Sequence, residues 1–335
     1  MGFLIYLDQN TLSDLRQRKI DESQNDLFRL LKHVLNSEQI SVVYSHITLD
    51  EILQIPKAEY RQEHIDTLAE LDAKYIEPLQ RTLSNQEPEN IWCAHLENKQ
   101  SNADLGITAL MEVSQLSSRK ISGLPIDESF SEINEKLKVN LGALISNCET
   151  QLASIDIEKL DEPLRSYFIN MQSQLDELRA KSSSLKAPDI ASEQQLGPQQ
   201  FRDMPDIRAL EVKSLDVKGV VHAIEATFKL ENSSFDLADY FEDTPKTAVA
   251  RAYSLMNWAD YHADDFTKTK TKKGKDRFNA SNNDMQHAVS ALGVSFLISG
   301  DINFIKKAKA CFAYVDCSTV VCNPLEFIEK HCNFI

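Results

Sequence analysis

The chain opens on an unbroken apolar run, Phe3-Leu-Ile-Tyr-Leu7, closed by Asp8. A run of this length without polar alternation predicts a strand covered on both faces, as in the centre of a parallel sheet. Asn10 or Thr11 is placed to cap the next helix, and Thr11 with Asp14 has capping-box spacing. Leu27, Leu30, Leu31 and Val34 recur at helical spacing and predict a helix over 26–35. Residues 39–44, rich in branched side chains, predict a second strand. Ser45 then caps a short helix from Ile47 to Leu53, which carries Asp50 and Glu51 and is stopped by Pro56.

From 56 to 277 the period becomes helical almost throughout. Phe130, Ile133, Leu137, Leu141, Leu144, Cys148, Leu152 and Ile155 keep three-and-four spacing, and Leu160, Leu164, Phe168, Met171, Leu175 and Leu178 repeat it after a break. The two stretches predict an antiparallel helical hairpin, followed by a Ser, Pro and Gln-rich connection over 182–200. Thr244-Pro245 opens one more long helix, which ends in the acidic 260–265 region.

The strand-and-helix texture then returns. A helix with Asp284 in its opening turn leads into a short buried strand closed by Asp301. A helix over 304–310, strands over 312–315 and 318–322, and a closing helix over 324–331 complete the chain. The expected class is therefore α/β: a parallel sheet flanked by helices, assembled from 1–55 and 278–335 and interrupted by an all-helical insertion domain over 56–277.

Composition changes this picture at two points. The chain has 335 residues, a formal charge of −15 and no apolar run near the roughly 18 residues of a membrane span, so a soluble, cytoplasmic protein with no membrane partner is expected. Its six cysteines lack paired Cys-x-x-Cys and zinc-site spacing, which leaves them as reduced thiols. Against the overall acidity stands one basic stretch, Lys268, Lys270, Lys272, Lys273, Lys275 and Arg277, directly before the Asp284 helix. Such a run is a solvated loop in most proteins; here its placement makes it the candidate contact for phosphates.

Asp8, Glu51, Asp284 and Asp301 are the candidate site residues, because the layout puts them at one rim of the sheet, where open α/β sheets bind ligands. Carboxylates gathered there repel one another unless a counter-charge joins them. An oxygen-only ligand set with no converging Cys or His pair suits Mg²⁺ or Mn²⁺ rather than zinc. One or two such ions lower the pKa of a water and direct it at a phosphodiester. Each acid taken singly is equally well read as a cap or turn former, so the signal lies in the set. His287 reads as a packing or hydrogen-bonding residue rather than a ligand; Asn10, Asn283 and Asn303 suit either support of the site or caps and turns.

Ile-Tyr-Leu-Asp8, the strand and Glu51 helix after it, Asp284-Met-Gln-His-Ala, and Phe-Leu-Ile-Ser-Gly-Asp301 resemble a PIN-domain nuclease over 1–55 and about 278–335. The resemblance implies a PIN-like sheet and a Mg²⁺- or Mn²⁺-dependent endonuclease with RNA favoured over DNA. Asp8, Glu51, Asp284 and Asp301 then stand as the first to fourth acids of the site. The helical insertion matches no family and is read as a substrate-selecting arm, a homodimer surface or a dock for a protein regulator. Two rivals are a PIN-like scaffold that no longer cuts and binds a protein partner, and a haloacid-dehalogenase-like phosphatase. The second lacks its general acid, because Asn10 stands where a second Asp is needed, and no Lys follows a strand in the required place.

Overall fold

The computed structural model describes residues 2–16, 22–78, 82–184, 197–231, 244–264 and 277–332. In chain order the elements are β1 (Phe3–Leu7), α1 (Gln9–Leu15), α2 (Glu22–Leu35), β2 (Ile40–Tyr44), α3 (His46–Leu53), α4 (Ala58–Glu70) and β3 (Lys74–Tyr75). There follow α5 (Pro88–Leu105), α6 (Ile107–Ile121), α7 (Phe130–Ala153), α8 (Glu162–Ser184), α9 (Pro198–Asp203), α10 (Pro205–Ala209) and α11 (Val220–Glu231). The chain closes with α12 (Pro245–Trp258), α13 (Phe278–Ser290), β4 (Phe296–Ile298), α14 (Ile302–Tyr314), β5 (Val320–Cys322) and α15 (Pro324–His331).

The five strands form one sheet in the order β3-β2-β1-β4-β5, and every pairing is parallel. The apolar runs place β1 at its centre, and the period of two sends alternate side chains to opposite faces. Tyr6, Val43, Leu297 and Val321 join α11 to α14 on one face. Ile5, Leu7, Val42, Tyr44, Phe296 and Ile298 meet α1 to α4 and α15 on the other. Ile5 and Leu297 are fully buried. Trimming either to Ala would cost ~2–5 kcal/mol and loosen the strand that carries the next acid.

The chain divides into two compact units, one formed by Met1–His95 with Pro198–Ile335 and the other by Leu96–Gly197. The excursion from the sheet unit is thus narrower than the 56–277 span expected from sequence. The reason is that α4 buries Ile65 and Leu68 in the sheet core, and that Lys74-Tyr75 adds an edge strand too short to carry a pattern. The 96–197 unit is helical, and α7 and α8 pair as expected, although none of the residues of α8 whose burial is described, 162–182, is buried. Two further expectations change. Residues 312–314 extend α14, with Val315 as its C-cap, instead of forming a strand, because Phe304, Ala308, Cys311 and Phe312 keep helical spacing and are all buried. The cap of α1 is Asp8, two or three residues earlier than expected, since its Oδ1 accepts from Thr11 N at 2.8 Å.

All six cysteines are free; Cys311 and Cys322 are buried and Cys93 is exposed. Among the described residues no helix is long and apolar enough to cross a membrane.

Candidate functional site

Strand order dictates where a site forms. The chain leaves β1 towards β2 on one side and returns to β4 on the other, so the connections diverge at the carboxyl ends of β1 and β4. Such a divergence is where open α/β sheets bind ligands. Asp8 follows β1 and Asp301 follows β4, each in extended conformation at the N-cap of its helix.

One hydroxyl joins them. Ser299 Oγ donates to Asp8 Oδ2 at 2.6 Å and accepts from Asp301 N at 3.0 Å. Asp301 Oδ1 in turn accepts from Asn303 N at 2.7 Å and Phe304 N at 3.0 Å. Asp8 is buried and Asp301 is exposed, so the pair runs from the interior to solvent. Burial pushes the Asp8 carboxyl above the usual carboxylate range, against the hydrogen bonds from Ser299 and Thr11.

Glu51 reaches α13 at residues on either side of Asp284. Glu51 Oε1 accepts from Asn283 Nδ2 at 3.0 Å, and Oε2 accepts from His287 Nε2 at 2.8 Å. The His287 Nδ1 contacts the Tyr6 hydroxyl at 2.8 Å, and that hydroxyl contacts Ser45 Oγ at 2.7 Å. Burial alone would depress the His287 imidazolium, yet its contacts with Tyr6 and the Glu51 carboxylate outweigh burial and raise it to about 10. These contacts favour the imidazolium, in which both ring nitrogens donate and Glu51 is the ion-pair partner.

Asp284 has the opposite situation. Its part-buried carboxyl accepts no hydrogen bond from any described residue. Burial, then repulsion from Asp264, push it up to about 8; His287 and Lys307 pull the other way, and Asp301 adds to the rise. Beside it, Asp264 pairs with the buried Lys307 at 2.5 Å and accepts from Ser281 Oγ at 2.8 Å.

Known proteins add nothing to this geometry. No protein-family model, no curated protein and no solved structure matches the chain.

Hydrogen bonds thus tie Asp8 to Asp301 and Glu51 to the two neighbours of Asp284 on α13, and charge couples Asp284 to Asp301 and Asp8 to His287. Lys268, Lys270, Lys272, Lys273 and Lys275 lie outside the described residues, whereas Arg277 directly precedes α13. Among the described residues no three His, Cys, Asp or Glu side chains stand close enough to form a finished metal cage. The donor chemistry nevertheless fits a hard cation. The carboxylates offer oxygen only, and among the described residues the Asp284 carboxyl has no hydrogen-bond donor and the buried Gln9 side-chain oxygen, next in sequence to Asp8, has none either.

Sequence reasoning missed Ser299, Asp264 and Lys307. Ser299 gives no signal beyond its place after a strand. Lys307 does give one, because it stands three residues after Phe304 and four before Cys311, on the apolar face of α14.

Proposed function

We propose that the rim binds Mg²⁺ or Mn²⁺ and hydrolyses phosphodiester bonds in nucleic acid as an endonuclease, with RNA favoured over DNA. The observation that carries this reading is the Asp8–Ser299–Asp301 bridge past the carboxyl ends of β1 and β4, with Asp284, which accepts no hydrogen bond from a described residue, coupled to it by charge. The parallel order β3-β2-β1-β4-β5 and the acids after β1 and β4 also support the PIN-like resemblance, from which the preference for RNA comes.

Asp8, Asp284 and Asp301 hold the cation in this reading, and Glu51 positions Asp284 through Asn283 and His287. A divalent ion bound there supplies positive charge that activates water and offsets charge on the leaving oxygen. Burial and Asp264 hold the Asp284 carboxyl above the usual carboxylate range, so it would have to give up a proton to serve as a ligand to such an ion. Ser299 keeps the Asp8 carboxylate turned towards Asp301. The 268–277 segment, placed immediately before α13, meets the phosphate backbone of the strand being cut.

Incubation of the purified chain with total RNA and with single- and double-stranded DNA, in Mn²⁺ or chelator, tests the proposal. Cleavage of RNA that requires Mn²⁺ and disappears in Asp8→Asn supports it. Equal cleavage by Asp8→Asn, or none by the unaltered chain on any substrate, refutes it.

A further inference from the structure

A cation of the protein's own is built into the floor of this rim. Lys307, on the second turn of α14, is 0% exposed. Its Nζ donates to Asp264 Oδ2 at 2.5 Å and to Asn257 Oδ1 at 3.0 Å, and it stands 4.3 Å from the centre of the Tyr253 ring. Asp264 Oδ2 also accepts from Ser281 Oγ at 2.8 Å, from Asn257 Nδ2 at 3.2 Å and from the Tyr253 hydroxyl at 3.4 Å. Asn257 and Tyr253 belong to α12, Ser281 to α13 and Lys307 to α14, so three helices converge on one ion pair.

Burying a lysine for stability alone is a poor bargain, because apolar side chains of similar volume often serve as well or better. A reason specific to this position is needed. Asp264 lies near enough to Asp284 to repel its charge, and Lys307 near enough to attract it. Without Lys307, Asp264 would keep its hydrogen bonds from Ser281, Asn257 and Tyr253 but lose its counter-ion, leaving an uncompensated negative charge near Asp284 that attracts a further cation. Ser281 also lies one turn before Asp284 on α13, so the hydrogen bond it gives Asp264 fixes the turn that presents Asp284.

Resting on the reading of the rim as a cation site, we propose that Lys307 is a positioning residue and permanent counter-cation. It withdraws Asp264 from the ligand set and so restricts the rim to a single divalent ion.

Calorimetric titration of the full chain with MnCl₂ tests this, with thermal melting in Mn²⁺ and in chelator alongside. The variants are Lys307→Met and the double variant Lys307→Met/Asp264→Asn. The unaltered chain should take up one Mn²⁺ per chain. Lys307→Met should take up a second ion, or bind the first roughly tenfold more tightly, since a neighbouring positive charge has gone. The double variant should return to one ion at the original affinity. Should Lys307→Met fail to fold in chelator, recovery of its melting transition by Mn²⁺ is the supporting result and lack of recovery overturns the proposal. Unchanged stoichiometry and affinity in a folded Lys307→Met also overturn it, leaving the pair a purely structural one. If the unaltered chain binds no Mn²⁺, the metal reading of the rim fails by itself. The role of Lys307 as counter-cation is then supported if Lys307→Met gains an ion that Asp264→Asn removes, and is refuted if it gains none.

Discussion

Replacing Asp284 with Asn should make the metal-free protein more stable and its active state unattainable. The folded carboxyl titrates at about 8 against an ordinary value of 3.8, because burial and the nearby Asp264 disfavour its charge. Between these values the unfolded chain is ionised while the folded chain keeps the proton, so native stability falls as pH rises. At 1.36 kcal/mol per pKa unit, the interval from 3.8 to pH 7 corresponds to about 4 kcal/mol at most, and partial contact with water reduces it. An amide of the same shape has no such penalty. Urea unfolding in chelator should therefore show Asp284→Asn gaining ~1–4 kcal/mol at pH 7, nothing near pH 4, and no further gain above about pH 8. Mn²⁺ should reverse the order by stabilising only the unaltered chain. A destabilised Asp284→Asn in chelator at pH 7, or a gain that does not change with pH, would refute the view that this acid is held ready without a partner.

Other outcomes follow from the same geometry. Ser299→Ala leaves the Asp8 carboxylate without its inner donor, and a loss of ~1–3 kcal/mol in urea unfolding is expected, together with a drop in cleavage rate that Mn²⁺ at higher concentration partly restores. His287→Ala strands Glu51 and breaks the link to Tyr6, and should cost ~3–5 kcal/mol by the same measurement. Because the folded His287 titrates near 10, above its ordinary 6.5, its contribution is complete below about pH 6.5 and is lost as pH rises through 10, which stability measured from pH 6 to 11 should reveal. Changing Lys270, Lys272, Lys273 and Lys275 together to Ser should weaken RNA binding and reduce the slope of log affinity against log salt by up to ~3–4.

The unequal legibility of the chain has physical causes. β1, β2 and the Asp301 strand were readable because a strand buried on both faces must be apolar at every position, and Ile5, Tyr6 and Leu7 are. β3 was not, because an edge strand of two residues, Lys74 and Tyr75, makes only backbone pairings that any sequence can make. The extra turn of α14 was hidden because Phe312, Tyr314 and Val315 favour strands when read alone, and only their packing against α12 decides for helix. Asp8 and Asp301 were legible because each follows a strand and caps the next helix, whereas Asp284 lies in the middle of α13 rather than in the opening turn expected, and Glu51 lies inside α3. The device beneath them was not legible, because the Lys307–Asp264 pair joins residues from separate segments and its meaning appears only when both are seen to be out of water. Glu51 is the instructive case: its place inside α3 gives no hint in the sequence that Asn283 and His287 each donate to one of its oxygens.

Crystals of the chain grown or soaked in MnCl₂, with diffraction collected at the manganese edge, test the central claim most directly. One anomalous peak touching the carboxylates of Asp8, Asp284 and Asp301, with Lys307 still on Asp264, is the predicted result. A rim without a peak at millimolar Mn²⁺, or a peak held elsewhere in the molecule, would contradict the account.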